Sequence, residues 1–180
     1  MEAYLDNSAT TRVAAQVQEL MKKLMDVDFG NPSSRHQKGV VAEGYIKDAR
    51  QKIAATLKVD PKELIITSGG TESNNMALIG TALAAKRKGN HIITTAVEHP
   101  SVKATASFLE EQGFRITFLS VDSRGQISLE DLKEALTPDT ILVSIMYVNN
   151  EIGTIQPVEE AAKLVHATVP GVVFHVDAIQ

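Results

Sequence analysis

The feature that most constrains the fold is an alternation of short apolar runs with longer segments of helical periodicity, which begins near Glu63. Short runs rich in β-branched residues predict strands, and apolar residues three or four apart predict helices. Several of the runs are apolar on both alternating faces, which is typical of a parallel sheet covered on two sides. We therefore expect an α/β fold with a mainly parallel sheet and helices on both faces. The predicted strands are Leu64–Thr67, His91–Val97, Arg115–Val121, Thr140–Val148 and Val172–Val176.

Helical periodicity predicts six helices, and one of them has a clear start signal. Ser128 and Asp131 form a partial capping pair before Leu132. The 180 residues are enough for about one domain. The chain reaches Gln180 just after a predicted strand, without a closing element, so we expect the domain to be truncated. The predicted helices are Val13–Met25, Val40–Leu57, Glu72–Lys88, Ser101–Gln112, Leu129–Leu136 and Val158–Val169.

Composition excludes several classes of function. With 22 acidic and 18 basic residues the net charge is -4, which argues against a nucleic-acid or anionic membrane surface. The absence of cysteine excludes disulfides, thiolate metal sites and a cysteine nucleophile within these residues. The first residues lack the basic and apolar regions of a signal peptide, and no apolar run approaches membrane-spanning length. We expect a soluble, cytoplasmic protein that binds no metal, nucleic acid or membrane.

The first candidate site is the turn Thr67–Ser73, which follows a predicted strand and opens a predicted helix. Its backbone N–H groups and hydroxyls at a helix N-terminus suit a phosphate. The glycine spacing matches neither a dinucleotide fingerprint nor a P-loop. The alternative is a plain strand-to-helix turn, in which Thr71 caps the helix.

A second candidate is His99, which lies between the end of a predicted strand and the start of a helix. Ligands of open α/β sheets bind at that edge. An exposed loop histidine with no function would look the same in sequence.

A third candidate is Asp177, an acid at the end of an otherwise apolar strand. A carboxylate there could pair with a pyridinium nitrogen and keep the ring protonated. The alternative is an aspartate that only caps a turn or a helix.

The segment Asn149–Thr154 is a fourth candidate, and it also follows a predicted strand. Its polar side chains suit either a ligand or simple turn chemistry. All four candidates follow strands of one parallel sheet, so a single ligand could contact them together.

Six motifs follow one another along the whole chain, namely Tyr4–Thr11, Gly30–His36, Ser68–Asn74, Glu98-His99, Asn149–Thr154 and His175–Gln180. In this order they resemble the motifs of the cysteine desulfurases in the class V aminotransferase group.

The resemblance implies a pyridoxal 5'-phosphate cofactor and a role for each candidate. Gly70, through its backbone, and Thr71 would hold the phosphate, while His99 would stack on the ring and take part in proton transfer. Asp177 would pair with the ring nitrogen, and Gln180 would donate a hydrogen bond to the ring hydroxyl. These roles suit the groups, because a phosphate needs N–H donors and a proton carrier needs a pKa near neutrality.

The resemblance also implies a domain organisation and an oligomeric state. Residues 1–15 would be an N-terminal arm belonging to a small domain, and residues 16–180 would be the first part of the cofactor-binding large domain. Asn150 would lie near the ring and the substrate carboxylate. The loop Asn31–His36 would lie near the site entrance or the interface of a homodimer.

The reaction implied by the resemblance removes sulfur from L-cysteine and leaves L-alanine and an enzyme persulfide. A sulfur-acceptor protein would take that sulfur for iron-sulfur cluster assembly or thiolation. In the family the Schiff-base lysine, the persulfide cysteine and a carboxylate-binding arginine come after the motif at Asp177–Gln180. We therefore expect residues 1–180 alone to be inactive. A selenocysteine lyase, another class V aminotransferase or lyase, and a non-catalytic ligand-binding fragment remain alternatives.

Overall fold

A computed structural model describes residues 2–180, while Met1, the first residue of the predicted N-terminal arm, lies outside the described part. The chain divides after Ile66 into two compact units. The predicted domains, residues 1–15 and 16–180, remain a prediction. None of the helices in residues 2–180 combines the length and apolar character needed to cross a membrane.

The first unit contains helices α1 (Ala15–Asp26) and α2 (Gln37–Leu57) and a short 3-10 helix (Pro61–Glu63). The predicted strand Leu64–Thr67 is wrong, because this segment is not a strand. A strand requires a hydrogen-bonded neighbour, and no neighbouring strand pairs with this segment in the part of the chain that the structure describes. Its Ile65 and Ile66 side chains are mostly exposed.

The second unit is a four-stranded parallel sheet with the order β2-β1-β3-β4. Its connections α4, α5 and α6 each link one strand to the next in sequence, as parallel strands require. This confirms the predicted α/β fold. The strands are β1 (His91–Thr95), β2 (Arg115–Leu119), β3 (Thr140–Ser144) and β4 (Val173–His175), and the helices are α3 (Gly70–Ala85), α4 (Pro100–Glu111), α5 (Leu129–Ala135) and α6 (Val158–Thr168).

The two faces of the sheet carry two separate apolar cores, because successive side chains of a strand point to opposite faces. Ile92 and Leu142 pack in one core with residues of α3 and α4. Ile93 and Val143 pack in the other core with residues of α5 and α6. Both central strands, β1 and β3, are buried along their whole length.

Each strand is shorter than the sequence predicts, mainly at its carboxyl end. β1 ends at Thr95 rather than Val97, and β3 ends at Ser144 rather than Val148. The residues beyond these ends make irregular contacts, such as the Tyr147 N–H donating to the Asp177 carbonyl at 2.8 Å. The polar segments that follow the strands therefore gather at one edge of the sheet.

Candidate functional site

The order of the strands places a crevice at the carboxyl edge of the sheet. From β1 the chain passes through α4 to β2 on one side, and then through α5 to β3 on the other side of β1. This reversal of direction leaves a gap between the connections that follow the carboxyl ends of β1 and β3. Ligands of open α/β sheets bind in such a gap. The segments around His99 and Asn149 follow β1 and β3.

Helix α3 begins at Gly70, and no side chain caps its N-terminus. The capping residue is Gly69, so the alternative in which Thr71 caps the helix is wrong. The Glu72 carboxylate instead accepts hydrogen bonds from the Ser68 N–H at 2.7 Å and the Ser68 hydroxyl at 2.6 Å, which lower the pKa of Glu72. The N–H groups of the first helical turn have no intrahelical acceptors and are suited to an anion.

Gly70 also lies against the segment that follows β4. A Cβ atom at this position would be 2.9 Å from Cδ1 of Ile179, closer than real contacts allow. The glycine thus permits a close approach between the start of α3 and the residues after Asp177. Three of the predicted ligand-binding residues, Gly70, Asp177 and Gln180, therefore belong to neighbouring segments.

His99 caps the N-terminus of α4 and is an exposed residue. Its Nδ1 accepts a hydrogen bond from the Ser101 N–H at 3.1 Å and lies 2.8 Å from the Ser101 hydroxyl. One ring nitrogen is therefore engaged with the protein.

Asp177 is 9% exposed, and hydrogen bonds hold both of its carboxylate oxygens. Oδ1 accepts from the Ile179 N–H at 3.2 Å, and Oδ2 accepts from the Asn74 side-chain amide at 2.8 Å. The same Asn74 nitrogen donates to the Ser101 hydroxyl at 3.0 Å. A buried chain of hydrogen bonds thus connects Asp177 with His99 through Asn74 and Ser101.

Glu98, next to His99, is 2% exposed and joins the ends of β1 and β3. Its Oε1 accepts from the Met146 N–H at 2.8 Å and from the Thr95 hydroxyl at 2.9 Å. Its Oε2 is buried and has no hydrogen-bond partner among the described residues. Burial is the main cause that raises the pKa of Glu98 to about 7, and the nearby Asp177 raises it further.

The Asn149–Thr154 segment folds as a turn that Asn149 stabilises. The Asn149 side chain accepts from the N–H groups of Glu151 and Ile152, and it donates to the Val97 carbonyl at 3.0 Å. Gly153 adopts a positive φ of 72°. Asn150, the predicted ligand-binding residue of this segment, is exposed.

Sequence reasoning missed the side chains that connect the predicted site residues. Asn74 ends the motif Ser68–Asn74 and Ser101 begins the predicted helix Ser101–Gln112, but neither was assigned a role. An available signal was that asparagine is disfavoured in a helix interior and that Asn74 lies within the first turns of a predicted helix.

The model of one protein family matches residues 3–180, and its description is aminotransferase class-V. The chain belongs to the class-V aminotransferase family. It is 50% identical to a cysteine desulfurase IscS of Dictyoglomus turgidum over 99% of this chain and 45% of that protein. A cysteine desulfurase IscS of Clostridium botulinum is 45% identical over the same shares. The chain thus spans a little under half the length of these class-V relatives.

Solved structures of class-V relatives share the fold. A NifS-like protein superposes with a TM-score of 0.96 at 43% identity, covering 99% of this chain and 49% of that one. A structure described as SspA in complex with cysteine has a TM-score of 0.91 at 40% identity, covering 97% of this chain and 50% of that one.

Proposed function

We propose that the protein containing this chain is a pyridoxal 5'-phosphate-dependent cysteine desulfurase. The observation that carries the proposal is the buried chain of hydrogen bonds from Asp177 to the exposed His99, beside the uncapped start of α3. The names of the relatives support the same activity.

The groups at this edge fit a phosphate-bearing pyridine. The first turn of α3 offers backbone N–H groups, and the exposed Thr71 would add a hydroxyl donor. Because Gly70 has no side chain, Ile179 can pack closely against the start of this helix. Glu72 would repel a phosphate, but its carboxylate is turned towards Ser68, which donates two hydrogen bonds to it.

Asp177 would accept a hydrogen bond from the pyridinium nitrogen. The Asn74 and Ile179 N–H groups donate to this carboxylate and hold it in place, and a carboxylate beside the ring nitrogen favours a protonated ring. When bound, pyridoxal phosphate supplies an electron-accepting ring that stabilises negative charge at the substrate α-carbon. Gln180, exposed three residues after Asp177, would donate to the ring hydroxyl.

His99 would contact the ring face and move a proton through Nε2. Its Nδ1 is engaged by Ser101, so Nε2 is the nitrogen available to the ligand. Asn150, exposed at the turn after β3, would lie near the substrate carboxylate.

The remaining chemical groups of the proposed reaction lie outside residues 1–180. The chain has no cysteine, so the thiolate that takes sulfur from L-cysteine must come from elsewhere in the protein. The Schiff-base lysine and the carboxylate-binding arginine are assigned there as well. The products would be L-alanine and a persulfide, passed to an acceptor protein for iron-sulfur cluster assembly or thiolation. We further propose a cytoplasmic homodimer.

The test measures alanine formation from L-cysteine by the full-length protein loaded with pyridoxal phosphate. Asp177→Asn should lower kcat by at least about a hundredfold, because an amide cannot keep the ring protonated. Asp139→Asn, which removes an exposed acid before β3, is the matched control and should leave kcat unchanged.

Two outcomes would contradict the proposal. A protein that binds no pyridoxal phosphate would exclude the cofactor assignment. A protein that binds pyridoxal phosphate but acts on selenocysteine and not on cysteine would be a selenocysteine lyase, the alternative activity.

A further inference from the structure

The direction of each hydrogen bond between Asp177 and His99 follows from the chemistry of its partners. An ionised carboxylate only accepts, so Asn74 must turn its NH₂ group, rather than its carbonyl oxygen, towards Asp177. The amide nitrogen has two hydrogens, and its distances of 2.8 Å to Asp177 Oδ2 and 3.0 Å to Ser101 Oγ account for both.

The Ser101 hydroxyl accepts from Asn74, and its own hydrogen is then free to be donated. His99 Nδ1 lies 2.8 Å from this oxygen. The Ser101 backbone N–H, which can only donate, is aimed at the same Nδ1 at 3.1 Å. Two donors thus converge on one ring nitrogen. A nitrogen that accepts carries no proton, so the ring proton of neutral His99 must be on Nε2.

We propose that Asn74 is a positioning residue that, through Ser101, fixes the ring proton of His99 on Nε2. The inference rests on the proposed function, because a fixed tautomer matters only where His99 exchanges a proton with a ligand. Ser101 transmits the effect and is 8% exposed, and Asn74 is 4% exposed. Neither residue needs to contact the ligand for the mechanism to work.

The arrangement connects Asp177 and His99, the two side chains that the proposed function places in contact with the cofactor ring. Asp177 orients the Asn74 amide because the ionised carboxylate attracts its N–H. The oriented amide then determines which way the Ser101 hydroxyl points. A proton on Nδ1 of His99 would face two donors, so proton exchange is confined to Nε2, the atom on the ligand side.

The test determines the tautomer of His99 by ¹⁵N NMR of the full-length protein labelled at histidine, with and without bound pyridoxal phosphate. The ¹⁵N shifts of the two ring nitrogens separate a protonated from an unprotonated nitrogen, and His99→Gln identifies the signals. Spectra are recorded at about pH 8, where an ordinary histidine is neutral.

Asn74→Ala and Ser101→Ala should each lower the ratio of the Nε2–H to the Nδ1–H tautomer by about fivefold, since a hydrogen bond contributes about 1 kcal/mol and 1.4 kcal/mol is about tenfold. Ser101→Thr keeps the hydroxyl and should keep the wild-type ratio. Thr105→Val is the matched control. Its buried hydroxyl lies one turn along α4, within hydrogen-bonding distance of the Ser101 carbonyl and Asn75 Oδ1, outside the chain of bonds to His99.

An unchanged ratio in both alanine variants would overturn the inference, whatever their stability. If Asn74→Ala fails to fold, Ser101→Ala and its rescue by Ser101→Thr decide the question. Failure of the proposed function is a separate result, because it would appear as absent cofactor binding by the wild-type protein, whose His99 tautomer can still be measured without ligand.

Discussion

Replacing Glu98 with glutamine tests whether the interior of this sheet holds a carboxyl group in its neutral form. Glu98 is almost fully buried, and only its Oε1 has hydrogen-bond donors, from Met146 and Thr95. Its Oε2 lacks a partner among the described residues, and Asp177 adds a second negative charge nearby. Lys103 opposes these effects only weakly. Glutamine keeps the shape of the side chain and carries no charge at any pH.

The expected magnitude follows from the pKa of Glu98, which rises from 4.5 to about 7 on folding. A group with a raised pKa binds its proton more tightly in the folded state, so its contribution to stability is lost as pH increases from 4.5 to 7. At 1.36 kcal/mol per pKa unit, the loss is about 3 kcal/mol. Glu98→Gln removes this loss. Its free energy of unfolding, relative to wild type, should therefore increase by about 3 kcal/mol between pH 4.5 and pH 8.

The assay is urea unfolding followed by far-ultraviolet circular dichroism, since the chain has no tryptophan for fluorescence. Exposed Glu111→Gln, at the end of α4, is the control for the loss of a carboxylate at the surface. If the difference in free energy of unfolding between Glu98→Gln and wild type stays constant with pH, the reasoning is refuted. Such a result would mean that the buried carboxyl group ionises as easily as it does in the unfolded chain.

Two further predictions concern packing and capping. Gly89→Ala should lower the free energy of unfolding by about 2 kcal/mol, because the new Cβ would overlap the Asp139 carbonyl, which the His91 N–H holds at 3.0 Å. The measurement is urea unfolding, and exposed Gly80→Ala, whose Cβ would meet no atom within 4 Å, is the control. Ser128→Ala should lower the free energy of unfolding by about 1 kcal/mol, because the Ser128 hydroxyl accepts a hydrogen bond from the Asp131 N–H at the start of α5. Its thermal midpoint should fall by a few degrees, and retention of the wild-type midpoint would show that this cap contributes nothing.

Most of the fold could be predicted from the sequence because its signals are local. The strands β1 to β4 and the helices α3 to α6 each follow from periodicity within a short window. The segment Leu64–Thr67 has the same apolar, β-branched composition and yet is not a strand. Composition shows that a segment is suited to a sheet, but only a neighbouring strand supplies the hydrogen bonds.

The site was predictable only in part, because its connections are long-range. Strand ends locate His99 and Asp177 at one edge of the sheet. The contact of Asn74 with Asp177 spans 103 residues, and that of Asn74 with Ser101 spans 27. No spacing rule foresees such pairs, and the orientation of a single amide group determines what they do.

His91, at the opposite end of β1 from Glu98, should mask part of the pH dependence of wild-type stability. Its ring is fully buried between Thr117 and Thr140, at 2.8 Å from each hydroxyl. Burial and then Arg115 lower its pKa to about 4, against a smaller opposing effect of Asp139. A lowered histidine pKa means that stability is lost as pH falls from 6.5 to 4, which amounts to at most about 3 kcal/mol. Glu98 has the opposite effect, since its contribution to stability falls as pH rises from 4.5 to 7. The two effects of pH on stability therefore cancel near pH 5.5. The free energy of unfolding of Glu98→Gln should therefore rise as pH increases from 4 to 6.5. If it stays constant over this range, burial does not lower the pKa of His91.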